Sequence, residues 1–177
     1  MIDASDRRQA RFPAAKSEKV RTRIAQQLDD WKIGVGDLAI CGGASGTDIL
    51  FAEAALERGA NLRLFLAQKQ EEFVRTSVQP AGGEWVERFH ALRKNAETAT
   101  LPEKVKQRPN DLSIYARTNL WIIDTARLEV RRDGTICALL VWDEKPTGDG
   151  PGGTSDFATR VRDLGALIAI INPTKIS

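Results

Sequence analysis

The stretch Asp37-Leu-Ala-Ile-Cys-Gly-Gly-Ala-Ser-Gly-Thr-Asp-Ile-Leu-Phe-Ala-Glu-Ala-Ala-Leu56 decides the fold. It reads as a short buried strand over 37–41, a glycine turn over 42–46 and a helix over 49–58 closed by Gly59. Glycines at 42 and 43 let the backbone take positive φ and approach a ligand closely. Thr47 or Asp48 starts the helix, so its partial positive charge faces the same space. The pattern predicts a phosphate cradle built from Gly42, Gly43, Ala44, Ser45, Gly46 and Thr47. Asp48 would cap the helix or reach a ribose hydroxyl. The plain alternative is a tight strand-to-helix turn with no ligand. No Gly-Lys-Ser or Gly-Lys-Thr follows, which argues against a P-loop ATPase, and the spacing Gly-x-Gly-x-x-Gly is missing.

A second small-residue bend, Gly148-Asp-Gly-Pro-Gly-Gly-Thr-Ser155, follows the apolar run Ile136–Trp142. Asp143 closes that run at a carboxyl end, where ligands bind in open α/β sheets. Gly152, Gly153 and Thr154 then lead into another helix start. Two such bends on one sheet suggest a nucleotide-like ligand; a flexible loop without one is the alternative.

Between and around these bends strand and helix patterns alternate. Helices are predicted over 18–31 with Ser17 as cap, 70–78, 84–94, 111–126 with Asp111 as cap, and 154–164. Strands are predicted over 62–66, near 99–101, over 136–142 and over 166–171, with an exposed hairpin-like excursion over 127–134. The near-unbroken apolar strand at 136–142 is the kind covered by helices on both faces. The fold class is therefore α/β, a Rossmann-like three-layer sandwich with a mostly parallel sheet, within one domain over 1–177. Folds of this kind usually open on a strand, and residues 1–16 contain no credible one.

Composition narrows the function. A net charge of +2 is too small to argue for a nucleic-acid surface. Cys41 and Cys137 lie far apart in apolar runs and read as reduced, buried thiols. With one histidine, His90, and no CxxC pair, the usual zinc donor sets are lacking. No cofactor and no metal are expected. The longest apolar run, 166–171, is too short to span a bilayer, and the polar N-terminus lacks the apolar centre of a secretory signal, so the expected location is the cytoplasm.

Other side chains invite roles. Glu53 sits mid-helix among alanines, as a functional carboxylate beneath the turn or a solvent-facing one. Arg117 and Asn119 lie in the apolar helix Ile114–Asp124. A buried arginine needs an anion: a phosphate, or a structural carboxylate such as Asp124 or Glu53. Arg7, Arg8 and Arg11 form a basic cluster that would reach over a phosphate or simply face solvent.

The glycine turn with Ala52-Glu-Ala-Ala55, and the later Pro151-Gly-Gly-Thr154, resemble the SLOG superfamily. That group unites cytokinin-activating LOG phosphoribohydrolases, DprA-like proteins and nucleotide-sensing domains of bacterial defence and signalling. Arg11-Phe-Pro13, Glu71–Val78, the Trp85–Phe89 helix and Arg117-Thr-Asn-Leu-Trp121 are similar to its bacterial signalling-type branch. The resemblance implies a Rossmann-like fold, a nucleotide-like small-molecule ligand and dimerisation, as in many relatives. It also implies a strand ahead of Met1-Ile-Asp3. LOG enzymes carry a Pro-Gly-Gly-x-Gly-Thr-x-x-Glu motif whose glutamate assists N-glycosidic cleavage. Here Ser155-Asp-Phe-Ala-Thr159 follows Thr154, so Asp156 is the nearest acid, and Glu53 is the other substitute. The expectation is a nucleotide-binding, sensor-like domain. The alternatives are a LOG-type nucleoside 5′-monophosphate phosphoribohydrolase using Glu53 or Asp156, and an interaction domain with a vestigial pocket.

Overall fold

A computed structural model describes residues 12–106, 112–144 and 153–176. In chain order the elements are α1 (Ser17–Asp30), β1 (Leu38–Cys41), α2 (Thr47–Glu57), β2 (Asn61–Leu66), α3 (Gln70–Phe73), α4 (Gly83–Arg93), β3 (Ala96–Thr100), α5 (Glu103–Lys106), α6 (Ile114–Glu129), β4 (Cys137–Val141), α7 (Thr154–Asp163) and β5 (Leu167–Ile171). Between α3 and α4 the helix widens into a π turn over Val74–Val78, then a 3-10 turn over Gln79–Ala81.

All strand pairs are parallel. β1 pairs with β2 in the register Leu38 to Asn61, β2 with β3 as Leu62 to Ala96, and β4 with β5 as Cys137 to Leu167. The strands form two hydrogen-bonded sheets, of three and of two strands, rather than one.

Strand alternation sorts side chains between two helical layers. Leu62, Leu64 and Leu66 of β2, Ala39 and Cys41 of β1, and Leu139 and Val141 of β4 share one core with Val20, Ile24 and Leu28 of α1, the apolar side of α2, and Phe89 and Leu92 of α4. The fourfold spacing of Val20, Ile24 and Leu28 puts all three on one face of α1, and each is buried. Ala52, Ala54 and Ala55 keep the surface of α2 small, so α1 packs closely on it. On the opposite face Phe65 stacks on Trp121 of α6, with ring centroids 4.0 Å apart. Ile123 of α6, Val161 of α7 and Ala138 of β4 make a second apolar cluster there. The arrangement is the expected Rossmann-like helix–sheet–helix layering.

Local expectations fared unevenly. Ser17 does not cap α1: it is the first helical residue, after a 3-10 turn at Ala14–Lys16, and Lys16 in the cap position makes no side-chain cap bond. Asp111 lies outside the described residues, whereas Ser113 Oγ accepts the Ala116 N–H at 3.1 Å and caps α6. The hairpin-like excursion over 127–134 does not form. α6 continues through Glu129, and a tight turn follows in which the Gly134 N–H donates to the Arg131 carbonyl at 2.9 Å. The helical pairing of Arg127–Glu129 with the preceding turn outweighs their weak alternation. The third strand spans 96–100 rather than 99–101.

Candidate functional site

The first glycine bend leaves the carboxyl end of β1. Gly43 and Gly46 have φ of 79° and 93°, a region that side chains disfavour. A Cβ on Gly43 would also lie 3.3 Å from the Phe89 ring, so the bend needs glycine twice over, for conformation and for space. Asp48 folds back beneath the bend: its Oδ2 accepts the Ala44 N–H at 3.1 Å. Burial of the carboxyl pushes the Asp48 pKa up, while the N–H groups of Ala44, Gly42 and Gly43 pull it back down. The residue as a whole keeps some exposed surface; it is the carboxyl that is desolvated.

The Ser45 N–H donates to the Ser77 carbonyl at 2.9 Å, and both serines are buried. Ser77 lies in the π turn, whose extra residue brings its carbonyl to the bend. The amides of residues 42–45 therefore point inward, to Asp48 and Ser77. The next ones do not. Leu50 N–H closes the first intrahelical bond to the Gly46 carbonyl at 3.0 Å, and among the described residues the N–H groups of Thr47, Asp48 and Ile49 meet no acceptor. Among the described residues the open amide donors of this bend thus belong to the first turn of α2 rather than to the glycines.

The second bend leaves β4. The Trp142 N–H continues the ladder to the Ile171 carbonyl at 3.0 Å, and Asp143 follows, half-buried. Gly152 lies outside the described residues, as do Arg7, Arg8 and Arg11. Gly153 is extended and caps α7 without a side-chain bond, and its carbonyl accepts from Phe157 at 3.1 Å. Thr154, Ser155 and Asp156 supply the first-turn N–H groups of α7, again without an acceptor among the described residues. Burial, and after it the negative charge of Asp37, push the pKa of the Cys137 thiol up. α1 starts beside the residues that follow β5, where Lys16 Nζ donates to the Ile176 carbonyl, and ends ahead of β1, and β4 is parallel to β5, so β1 and β4 have their carboxyl ends, from which the two bends leave, on the same side.

The remaining expected site residues have structural partners. Both Glu53 oxygens accept from Arg88, at 2.8 and 2.6 Å, across the α2–α4 interface. The guanidinium also lies 4.2 Å above the Trp85 ring. Arg88 and Glu53 are each only about one-fifth exposed. Asp156 is paired with Arg160 one turn along α7, at 3.1 Å. Buried Arg117 donates to the carbonyls of Leu112 at 3.1 Å and Val105 at 2.9 Å, and so ties the chain on either side of residues 106–111 to α6. Asn119 is half-buried on the same helix.

An open cleft of about 470 Å³ lies at the amino ends of the strands, lined in part by Gly36, Asn61, Arg63, Glu97 and Glu129. Arg63 in its lining pairs with Glu97 at 2.7 Å and Glu129 at 2.6 Å. Among the described residues no group of three or more His, Cys, Asp or Glu is placed to hold a metal ion, and no helix is long and apolar enough to cross a membrane.

No protein-family model matches the chain, and no curated protein matches it.

Proposed function

We propose that this chain is a nucleotide-binding, sensor-like domain whose ligand phosphate sits at the carboxyl ends of the parallel strands. The observation that carries the reading is the pair of helix starts, at Thr47 and Thr154, on the same end of β1 and β4. Their first-turn N–H groups lack protein acceptors among the described residues. The resemblance to the SLOG superfamily in the Gly42–Gly46 and Pro151–Thr154 bends supports the same reading. Asp48 shapes the first bend from below, and Asp143 stands at the rim for a ribose or base.

Binding is favoured over N-glycosidic hydrolysis by the engagement of the two substitute acids. Glu53 is held by Arg88 and Asp156 by Arg160, so each carboxylate already spends its oxygens on a guanidinium rather than on a substrate. Isothermal titration calorimetry of AMP, ADP-ribose and cyclic mono- and dinucleotides tests the proposal. Saturable heat with at least one of them is expected, and its loss in Gly43→Val, with the fold retained by circular dichroism. Silence across the panel overturns the reading. Release of free base from AMP, abolished by Glu53→Gln, would replace it with the hydrolase.

A further inference from the structure

The cleft at the amino ends of the strands has a lining that packing alone does not call for. Register partners in a parallel sheet put their side chains next to one another on one face. Leu38 opposite Asn61, Arg63 opposite Glu97 and Phe65 opposite Ala99 therefore share the face that α6 covers, where Trp121 stacks on Phe65. A sheet face under a helix is ordinarily apolar along its length. On this one β2 is apolar at Phe65 and polar at Asn61 and Arg63, and those two polar residues line the open cleft of about 470 Å³.

Charge in the cleft is sorted by sign. The Arg63 side chain, 26% exposed, donates through Nε to Glu97 Oε2 and through Nη1 to Glu129 Oε1. One cation against two carboxylates leaves this part net negative, and Glu97 Oε1 and Glu129 Oε2 have no donor among the described residues. Arg131, just past the end of α6, lines the cleft too, and its guanidinium has no acceptor among the described residues. A lone cation entering here meets Arg63 and Arg131, and a lone anion meets Glu97 and Glu129. A ligand that carries both signs finds a complement for each. The margin is apolar. Leu38 belongs to the lining, and Val35, 91% exposed, stands beside Gly36, which also belongs to it. A doubly closed turn holds Val35 out: the Gly34 N–H donates to Asp37 Oδ2 at 2.8 Å and the Asp37 N–H to the Gly34 carbonyl at 3.1 Å. Leu128, 79% exposed, precedes Glu129 on α6. A single exposed apolar residue needs no explanation, but these two flank one polar cleft whose volume is that of a small-molecule site.

We propose that this cleft binds a free apolar α-amino acid. Its ammonium lies on the unpartnered oxygens of Glu97 and Glu129, its carboxylate on Arg131, and its side chain along Leu38 and Val35. The cleft is at the amino ends of the strands and the bends at Gly42–Gly46 and Gly153 are at the carboxyl ends, so this site is separate from the proposed nucleotide surface.

Amide-resolved NMR of the 177-residue chain, titrated with L-leucine to about 20 mM, tests this. Saturable shifts are expected at the amides of Gly36, Asn61, Arg63, Asn95 and Arg131. Isovalerate, which lacks the ammonium, and isopentylamine, which lacks the carboxylate, should each bind about tenfold more weakly. Glycine, which lacks the apolar side chain, should bind about fivefold more weakly. Arg131→Ala removes an exposed side chain that has no partner among the described residues, so the fold should survive, checked by circular dichroism, while affinity for L-leucine drops about tenfold. No saturable shift at these amides, equal affinity for glycine or for either half of the ligand, or unchanged affinity in a folded Arg131→Ala would each overturn the proposal. These amides report on the cleft whether or not the chain binds a nucleotide, so the two proposals fail separately.

Discussion

Asp48 Oδ2 accepts the Ala44 N–H at 3.1 Å, which makes a side chain in the first turn of α2 the internal brace of the glycine bend. Burial raises the Asp48 pKa from its ordinary 3.8, so the folded chain holds this proton more tightly than the unfolded chain does. The contribution of this group to stability is greatest below the ordinary value. It declines as pH rises through the interval between the ordinary and the raised value. The substitution Asp48→Asn keeps an acceptor oxygen and loses the titration. Urea unfolding across mildly acidic to neutral pH should show the natural chain losing stability relative to that variant as pH rises; parallel profiles would refute the assignment. Asp48→Ala, which strips the acceptor from the bend, should cost about 1–3 kcal/mol.

Glu53→Gln separates a structural carboxylate from a chemical one. The variant loses a bidentate, charge-assisted pair with Arg88 that is mostly shielded from water. A loss of about 1–3 kcal/mol is expected in thermal unfolding, with nucleotide affinity unchanged. Weakened binding at unchanged stability would return Glu53 to the ligand site.

Gly43→Ala forces a side chain into φ of 79° and sets its Cβ 3.3 Å from Phe89. Conformational strain alone costs about 1–2 kcal/mol, and the contact adds to it. Gly165, at a similar φ of 77° but with open space around its Cβ position, carries only the strain. Gly43→Ala should therefore lower Tm more than Gly165→Ala.

Arg117→Lys tests whether the guanidinium fork is needed. Arg117 reaches the Leu112 carbonyl through Nε and the Val105 carbonyl through Nη1. A lysine ammonium cannot reproduce that spread. The lysine variant should lose about as much stability as Arg117→Met, and both should be cut faster by trypsin or chymotrypsin near Val105. Full rescue by lysine would mean that charge, not shape, is what the site requires.

Much of the scaffold is readable from spacing. The strand–bend–helix of residues 37–57, the α1 stripe and the apolar run of β4 follow from local periodicity and from glycine placement. What escapes is what depends on distant residues. The π turn at Val74–Val78 looks like ordinary helix in sequence, because one extra residue per turn leaves no compositional mark. Ser77 is therefore invisible there as the acceptor for Ser45. The partner of Glu53 lies 35 residues away on α4, so the spacing that makes Glu53 conspicuous cannot show that it is already engaged. The glycine bend is legible as a bend. Its pattern leads one to expect amides facing a ligand, and most of them face Asp48 and Ser77 instead, with the open donors displaced one step into the helix.

The widened winding at Val74–Val78 carries an evolutionary consequence. Removing one residue from it would restore regular α winding, swing Ser77 by about 100° and strand the Ser45 amide inside the fold. A lineage that alters the length of this helical passage must also rebuild the bend at Gly42–Gly46, so the two segments are bound to drift together or not at all.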